Sequence, residues 1–263
     1  YRSLQPALTE RPTEVYTMDV SGGELLSVNP LWFPIGGSLQ YHIDSIKTII
    51  SSAFELYAAM PNILEQCLLR VYVRTGWNLV TSRNLYEGKL PDDRLYPTIS
   101  DLCEEIEAYL ETSDFEGEAK GNYKGALLSR LQSFTTGAKG ILLNRASHPP
   151  FARWLKDGKE VNVILELDAV ADDADKCIIM GTLLTQYFQY VKYCGSIQQG
   201  KGLKHALILE EAHHLFAENQ NQSGEGNDAQ KQLVEFLSNL LAEIRAYGEG
   251  IMIVDQSPSR ISP

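Results

Sequence analysis

Apolar residues recur at helical spacing through residues 41–57, at Ile43, Ile46, Ile49, Ile50, Ala53, Phe54 and Tyr57, which predicts an amphipathic helix. Met60-Pro61 interrupts the pattern, and Pro61 suits the first turn of a second helix. That helix is expected to run to about Arg74 and to stop at Gly76 as a left-handed cap. A polar stretch over residues 78–97 predicts a loop. Thr98 with Asp101 three residues later resembles a capping box, opening a helix to about Leu110. Another helix is expected over residues 119–134. The first 38 residues are rich in Pro and Gly, with one short strand predicted at 15–18.

The pattern changes in the second half. Residues 161–167 (VNVILEL) form a mostly apolar run with β-branched members, which predicts a strand buried on both faces. Asp172, Asp173 and Asp175 then stand at the favourable positive end of a helix over residues 177–193. A strand at 206–209, a polar loop at 218–228 and a helix carrying Leu233, Leu237, Leu240, Leu241 and Ile244 on one face follow. Gly248 stops that helix, and residues 250–254 form a last strand. Strand, helix, strand, helix, strand predicts an α/β fold with a parallel sheet covered by helices. No internal repeat is present.

Composition narrows the picture. The chain has 263 residues, 44% of them hydrophobic, enough for one large core or two small ones. No run approaches the roughly 18 apolar residues that a membrane helix needs. Its first residues, Tyr1-Arg2-Ser3-Leu4, read as the start of an excised fragment. Cys67, Cys103, Cys177 and Cys194 form no CxxC pair and sit in apolar helical contexts, which predicts core thiols and a cytoplasmic location. A net charge of −11 argues against a general nucleic-acid coat protein, although a narrow basic channel is compatible with it. Charge is also blocked along the chain: residues 101–118 hold eight acids and no Lys or Arg, and residues 119–156 hold seven basic residues and no acid. The second block either lines a channel for a nucleic-acid backbone or neutralises the first. Mutual neutralisation is the favoured expectation.

The chemistry concentrates in His205-Ala-Leu-Ile-Leu-Glu210-Glu211-Ala212-His213, a buried strand that ends in two adjacent carboxylates. Ligands of open α/β sheets bind at the carboxyl ends of strands. Two acids there repel each other unless a cation or polar ligand compensates, and a magnesium nucleotide does so. A strand running into a solvated helix cap is the plain alternative. Arg245 ends the next helix, and Gln256 follows the next strand, where an amide can orient a water or sense a γ-phosphate. Arg245 also serves simply as a cation at a helix C-terminus. Glu210-x-x-His213 and Glu211-x-x-His214 match the ExxH spacing of di-iron sites, but those need a second such motif on another helix, and none occurs. His213 and His214 are therefore expected to be one packed and one solvated side chain.

Residues 207–213 (LILEEAH), a helix ending in Arg245-Ala-Tyr-Gly and residues 251–260 (IMIVDQSPSR) together resemble the HerA-like branch of the HerA/FtsK superfamily of P-loop motor ATPases. Asn29-Pro30-Leu31, His42 and Tyr72…Gly76-Trp77 fall in the family's order, Tyr1-Arg2-Ser3-Leu4 looks like the tail of its second-strand segment, and nearly the whole chain is covered. The resemblance implies a RecA-like P-loop NTPase core over residues 1–263 with a helical insertion at 39–134. It implies ATP and Mg2+ as cofactors, with Glu210 on the magnesium side and Glu211 as water-activating base. By the same resemblance Gln256 is the sensor and Arg245 a finger toward a neighbour's nucleotide. Implied partners are double-stranded DNA, further copies in a hexameric ring, and a nuclease or other effector. The implied activity is DNA translocation or unwinding. A related ATPase powering conjugative or type IV secretion, and a non-catalytic interaction module, are the alternatives. One departure is large: no GxxxxGK[ST] phosphate loop occurs, because Gly117-Glu-Ala-Lys120 and Gly137-Ala-Lys139 lack the spacing and the hydroxyl. The phosphate loop and first two strands are expected upstream of Tyr1, leaving the core incomplete on its N-terminal side and this chain alone inactive.

Overall fold

The computed structural model describes residues 11–115, 117–155, 161–194, 202–216 and 225–256, without the side chains of residues 194 and 225–227. The expected motif at residues 1–4, Lys156, most of the loop at 218–228 and the end of the last motif from Ser257 lie outside the described residues.

Strand β1 (Thr13–Thr17) lies between β2 (Glu24–Leu25) and β5 (Asn162–Glu166), parallel to both. Strands β6 (His205–Glu210) and β7 (Glu249–Val254) form a second parallel pair. Among the described residues the two sheets do not join, so β5 bonds only to β1 and β6 only to β7. The expectation that residues 161–167 are buried on both faces is corrected here: every residue of β5 is half-buried. A strand with one hydrogen-bonded neighbour keeps an open edge, and its apolar run is only partly covered. The β6–β7 pair is open too. Ile208 and Met252 are register partners, and they are 58% and 59% exposed.

The helical block begins with α1 (Leu39–Ala53), capped by the Ser38 hydroxyl, which accepts from the Tyr41 amide. Ile43, Ile46, Ile49 and Ile50 are buried as the periodicity requires, each worth about 1.5–3 kcal/mol of transfer. The helix ends four residues earlier than the expected 57, and Tyr57 is half exposed. Glu55 (φ 49°) and Ala58 (φ 52°) take left-handed backbone there, turning the chain so that Met60 enters the core. Helix α2 (Met60–Arg74) starts with Pro61 in its first turn and stops before Gly76 at φ 92°. The expected loop at 78–97 instead contains a short hairpin, β3 (Trp77–Asn78) against β4 (Arg83–Asn84). Helix α3 (Ile99–Thr112) carries the capping box of Thr98 and Asp101 in full. Helices α4 (Gly117–Gln132), α5 (Gly137–Leu143) and α6 (Phe151–Trp154) complete the middle of the chain.

Helix α7 (Asp173–Gln189) is capped by Asp172 and continues as a π-helical turn, Tyr190–Cys194. It packs on α1, where Gly181 leaves room for Ile49, since a Cβ at that position would sit 3.1 Å from Ile49 Cγ1. A buried polar cluster ties the early loop to these helices. The Tyr72 hydroxyl donates to the Leu31 carbonyl, and His42 Nε2 lies 3.1 Å from the Pro30 carbonyl oxygen. Gln186 Nε2 donates to the Asn29 and Trp32 carbonyls, and Gln189 Nε2 lies 3.2 Å from His42 Nδ1. Asn29, Pro30, Leu31, His42 and Tyr72 thus share one hydrogen-bonded cluster with α7.

The two charge blocks pair with each other and with their surroundings. Lys124 reaches Glu107, and Lys120 donates to the Glu111 carbonyl. Lys139 pairs with the buried Asp175 at 2.5 Å, and Arg153 with Glu14 at 2.6 Å. Cys67, Cys103 and Cys177 are buried free thiols; burial pushes Cys67 and Cys177 up to about 12 and Cys103 up to about 11. Among the described residues, no helix is long and apolar enough to cross a membrane.

Candidate functional site

The register of β6 against β7 builds the site. His205 faces Glu249 at one end, and Glu210 faces Val254 at the other. At the first end the buried Glu249 carboxylate receives the Tyr187 hydroxyl from α7 and lies 2.8 Å from His205 Nδ1. These contacts lock the two strands against slippage, so the residues after Glu210 and Val254 emerge side by side.

Beyond the strand, Ala212, Leu215 and Phe216 are buried, and they pull the short helix α8 (His213–Phe216) into the core. The chain must turn sharply between strand and helix, and Glu211 makes the turn at φ 48°. Left-handed backbone costs a residue with a Cβ roughly 1–2 kcal/mol, a strain typical of functional sites. The Glu211 side chain is left 49% exposed. Glu210 is half-buried, and its carboxylate has no protein partner among the described residues.

Asp255 organises the turn. Its Oδ2 accepts the His213 backbone N–H at 2.9 Å and lies 2.9 Å from His213 Nδ1, with the carboxylate almost fully buried. His214 is the packed imidazole of the pair, but His213, expected to be solvated, is only 22% exposed because Asp255 holds it against the turn. His214 Nε2 lies 3.4 Å from Glu211 Oε2, its Nδ1 lies 3.4 Å from Asp173 Oδ1, and Lys176 Nζ is 3.4 Å from Nε2. Burial lowers the His214 pKa first, helped by His213 and Lys176 and opposed by Asp173 and Glu211.

Glu210 therefore ends β6, and Glu211 and Gln256 lie just past the carboxyl ends of the neighbouring parallel strands β6 and β7. Gln256 is exposed and makes no hydrogen bond to either acid among the described residues. Arg245 stands elsewhere, in the turn Arg245–Tyr247 that precedes β7. The six residues of β7, at about 3.3 Å each, put roughly 20 Å between the two ends. The Arg245 side chain is exposed and makes no ion pair among the described residues. Asp255 is the residue that sequence reasoning passed over. An acid directly after an apolar run was visible in the sequence, but its role depends on the register of β6 against β7.

No family model matches this sequence, and no curated protein matches it. Solved structures do. This chain is similar in fold to VirB4 of Thermoanaerobacter pseudethanolicus. The TM-score is 0.64 at 18% sequence identity, over 99% of this chain and 66% of the VirB4 chain. At that identity the likeness to VirB4 shows the fold alone, an α/β arrangement of RecA-like type with parallel strands. The narrower HerA-like assignment is not distinguished by VirB4. This chain spans 66% of the VirB4 structure's length.

Proposed function

We propose that this chain is the larger part of a motor ATPase core whose phosphate loop lies in polypeptide preceding Tyr1. The observation that carries this reading is the pair Glu210 and Glu211 at the carboxyl end of β6, beside β7, in a fold shared with VirB4. The open face around Ile208 and Met252 supports it, because exposed apolar strand residues await covering elements.

Each residue then has a task. Glu210 offers hard carboxylate oxygens without a protein partner among the described residues, a donor suited to Mg2+. The bound nucleotide and its Mg2+ supply the phosphoryl group and neutralise its developing charge. Glu211, half exposed on its strained turn, takes the proton of the attacking water. Gln256 orients that water, and Arg245, held away from its own Glu211, reaches the nucleotide of the next subunit in a ring.

Two kinds of cargo fit this core. The likeness to VirB4 favours an ATPase that powers conjugative or type IV secretion. The run from Leu207 to His213, with Arg245-Ala-Tyr-Gly and Asp255-Gln256, favours a HerA-like motor on double-stranded DNA. Stimulation of turnover by duplex DNA separates them, since only the DNA motor needs it.

Calorimetry with ATP tests the core proposal. The 263-residue chain should show no micromolar binding, because the backbone cradle and lysine of the phosphate loop are outside it. The same chain extended upstream should bind and hydrolyse ATP. Micromolar binding by the chain alone, or an extended chain without turnover, would overturn the proposal.

A further inference from the structure

The turn after β6 gathers more than carboxylates. One nitrogen from each of His213 and His214 and one oxygen of Glu211 lie within 4.8 Å of one another. We propose that these three residues form a binding site for a zinc-class divalent transition metal, distinct in chemistry from the magnesium side at Glu210.

The second layer of contacts prepares the ligands. Asp255 Oδ2 lies 2.9 Å from His213 Nδ1, and Asp173 Oδ1 lies 3.4 Å from His214 Nδ1. An ionised carboxylate only accepts hydrogen bonds, so Asp255 favours the His213 proton on Nδ1. His214 has a carboxylate 3.4 Å from each nitrogen, Asp173 at Nδ1 and Glu211 at Nε2, and a metal between Nε2 and Glu211 would select the Nδ1 proton and use the Nε2 lone pair. Carboxylate, imidazole and metal in series is the arrangement that fixes tautomer and ring orientation in zinc sites. Lys176 Nζ, 3.4 Å from His214 Nε2, is placed to donate into that same lone pair.

The spacing fits as well. Two ligands on one tetrahedral zinc, bonded at about 2.0–2.2 Å, lie roughly 3.3–3.5 Å apart. His214 Nε2 and Glu211 Oε2 are 3.4 Å apart. His213, with its side chain 22% exposed, must move by about an ångström, and the Asp255 contact at Nδ1 has to follow it. Two imidazoles and one carboxylate select zinc-class ions over the hard Mg2+, and leave a fourth position for water.

Lys176 is the one opposing group. Its ammonium must leave His214 before an ion enters, so it sets the affinity of the site. The regulatory consequence rests on the proposed role of Glu211: a metal that holds its carboxylate takes the base away from the attacking water.

Co2+ is the probe, because tetrahedral Co2+ absorbs strongly in the visible. Titration of the 263-residue chain should give one Co2+ per chain, displaced by Zn2+. His213→Ala should weaken binding by about 100-fold or more, and Asp255→Asn by about 10–100-fold, the usual cost of losing an outer partner. Lys176→Gln should tighten it by about tenfold, since a like charge is removed. That gain cannot come from unfolding, so it guards against His213→Ala or Asp255→Asn simply destabilising the turn. No stoichiometric Co2+ spectrum, or affinities unmoved in His213→Ala and Lys176→Gln, would overturn the site. In the extended ATPase, Zn2+ should inhibit the wild type and spare His213→Ala. Binding that follows the variants while Zn2+ leaves turnover untouched would uphold the site and remove Glu211 from its role as base.

Discussion

Replacing Glu211 with Gly should stabilise the fold while abolishing hydrolysis in the extended protein. Glu211 holds φ 48° between a locked strand and a buried helix, so its backbone has no freedom to relax. Left-handed backbone costs a residue with a Cβ about 1–2 kcal/mol, and Gly escapes that cost. Gly loses about 0.4–1 kcal/mol more conformational entropy on folding than Ala. Glu211→Gly should therefore exceed Glu211→Ala by about 1 kcal/mol. The wild type should fall close to Ala, since the carboxylate is half exposed and its one contact among the described residues, to His214, is long at 3.4 Å. Urea denaturation of the three chains measures this directly. With slopes of about 1–3 kcal/mol/M, the Gly midpoint should lie roughly 0.3–1 M above that of Ala. A Gly chain no more stable than Ala, at unchanged slope, would refute strain at the turn.

Other parts of the structure give sharp expectations. Burial holds the His42 pKa down to about 3, against the lift from the Pro30 carbonyl. Below its ordinary value near 6.5 the unfolded chain binds a proton that the folded chain refuses, so stability falls as pH drops from about 6.5 toward 3. Between about pH 4 and 6 the wild type should lose about 1.4 kcal/mol per pH unit more than His42→Gln, and parallel slopes would contradict the burial argument. Lys139→Ala strips the buried Asp175 of its cation and should cost about 1–2 kcal/mol in denaturation, less than a fully buried pair because Lys139 is partly exposed. If the core assembles into the proposed ring, mixing Arg245→Ala subunits with Glu211→Gln subunits should restore some ATPase activity. No activity in proven mixed rings would return Arg245 to its own subunit or to a helix cap.

Local rules made much of this fold legible. Thr98 and Asp101 form their capping box, Pro61 opens α2, and Gly76 and Gly248 take the left-handed backbone that ends their helices, because each signal acts within a few residues. The apolar face of the last helix is buried at Leu233, Leu237, Leu240 and Ile244 for the same reason. What composition could not convey was the company each element keeps. The run at 161–167 reads as a doubly covered strand, yet β5 has only β1 beside it among the described residues. Tyr57 continues the helical spacing of Ile43 to Phe54, but bringing Met60 into the core required a left-handed turn first. At the site, the adjacent acids were visible as chemistry, whereas Asp255 acquires meaning only when the register of β6 and β7 sets it level with Glu211. The pairing of His213 with Asp255 and of His214 with Asp173 crosses between elements, and no spacing along the chain encodes it.

The central claim is that Glu211 activates water in a nucleotide-hydrolysing core, and Glu211→Gln in the extended protein tests it most directly. The amide keeps size and hydrogen bonding but is a far poorer base, so turnover should fall by at least about 10²-fold. Nucleotide affinity, measured by calorimetry on the same protein, should stay within a few-fold of wild type. Turnover within a few-fold of wild type, with binding intact, would contradict the account.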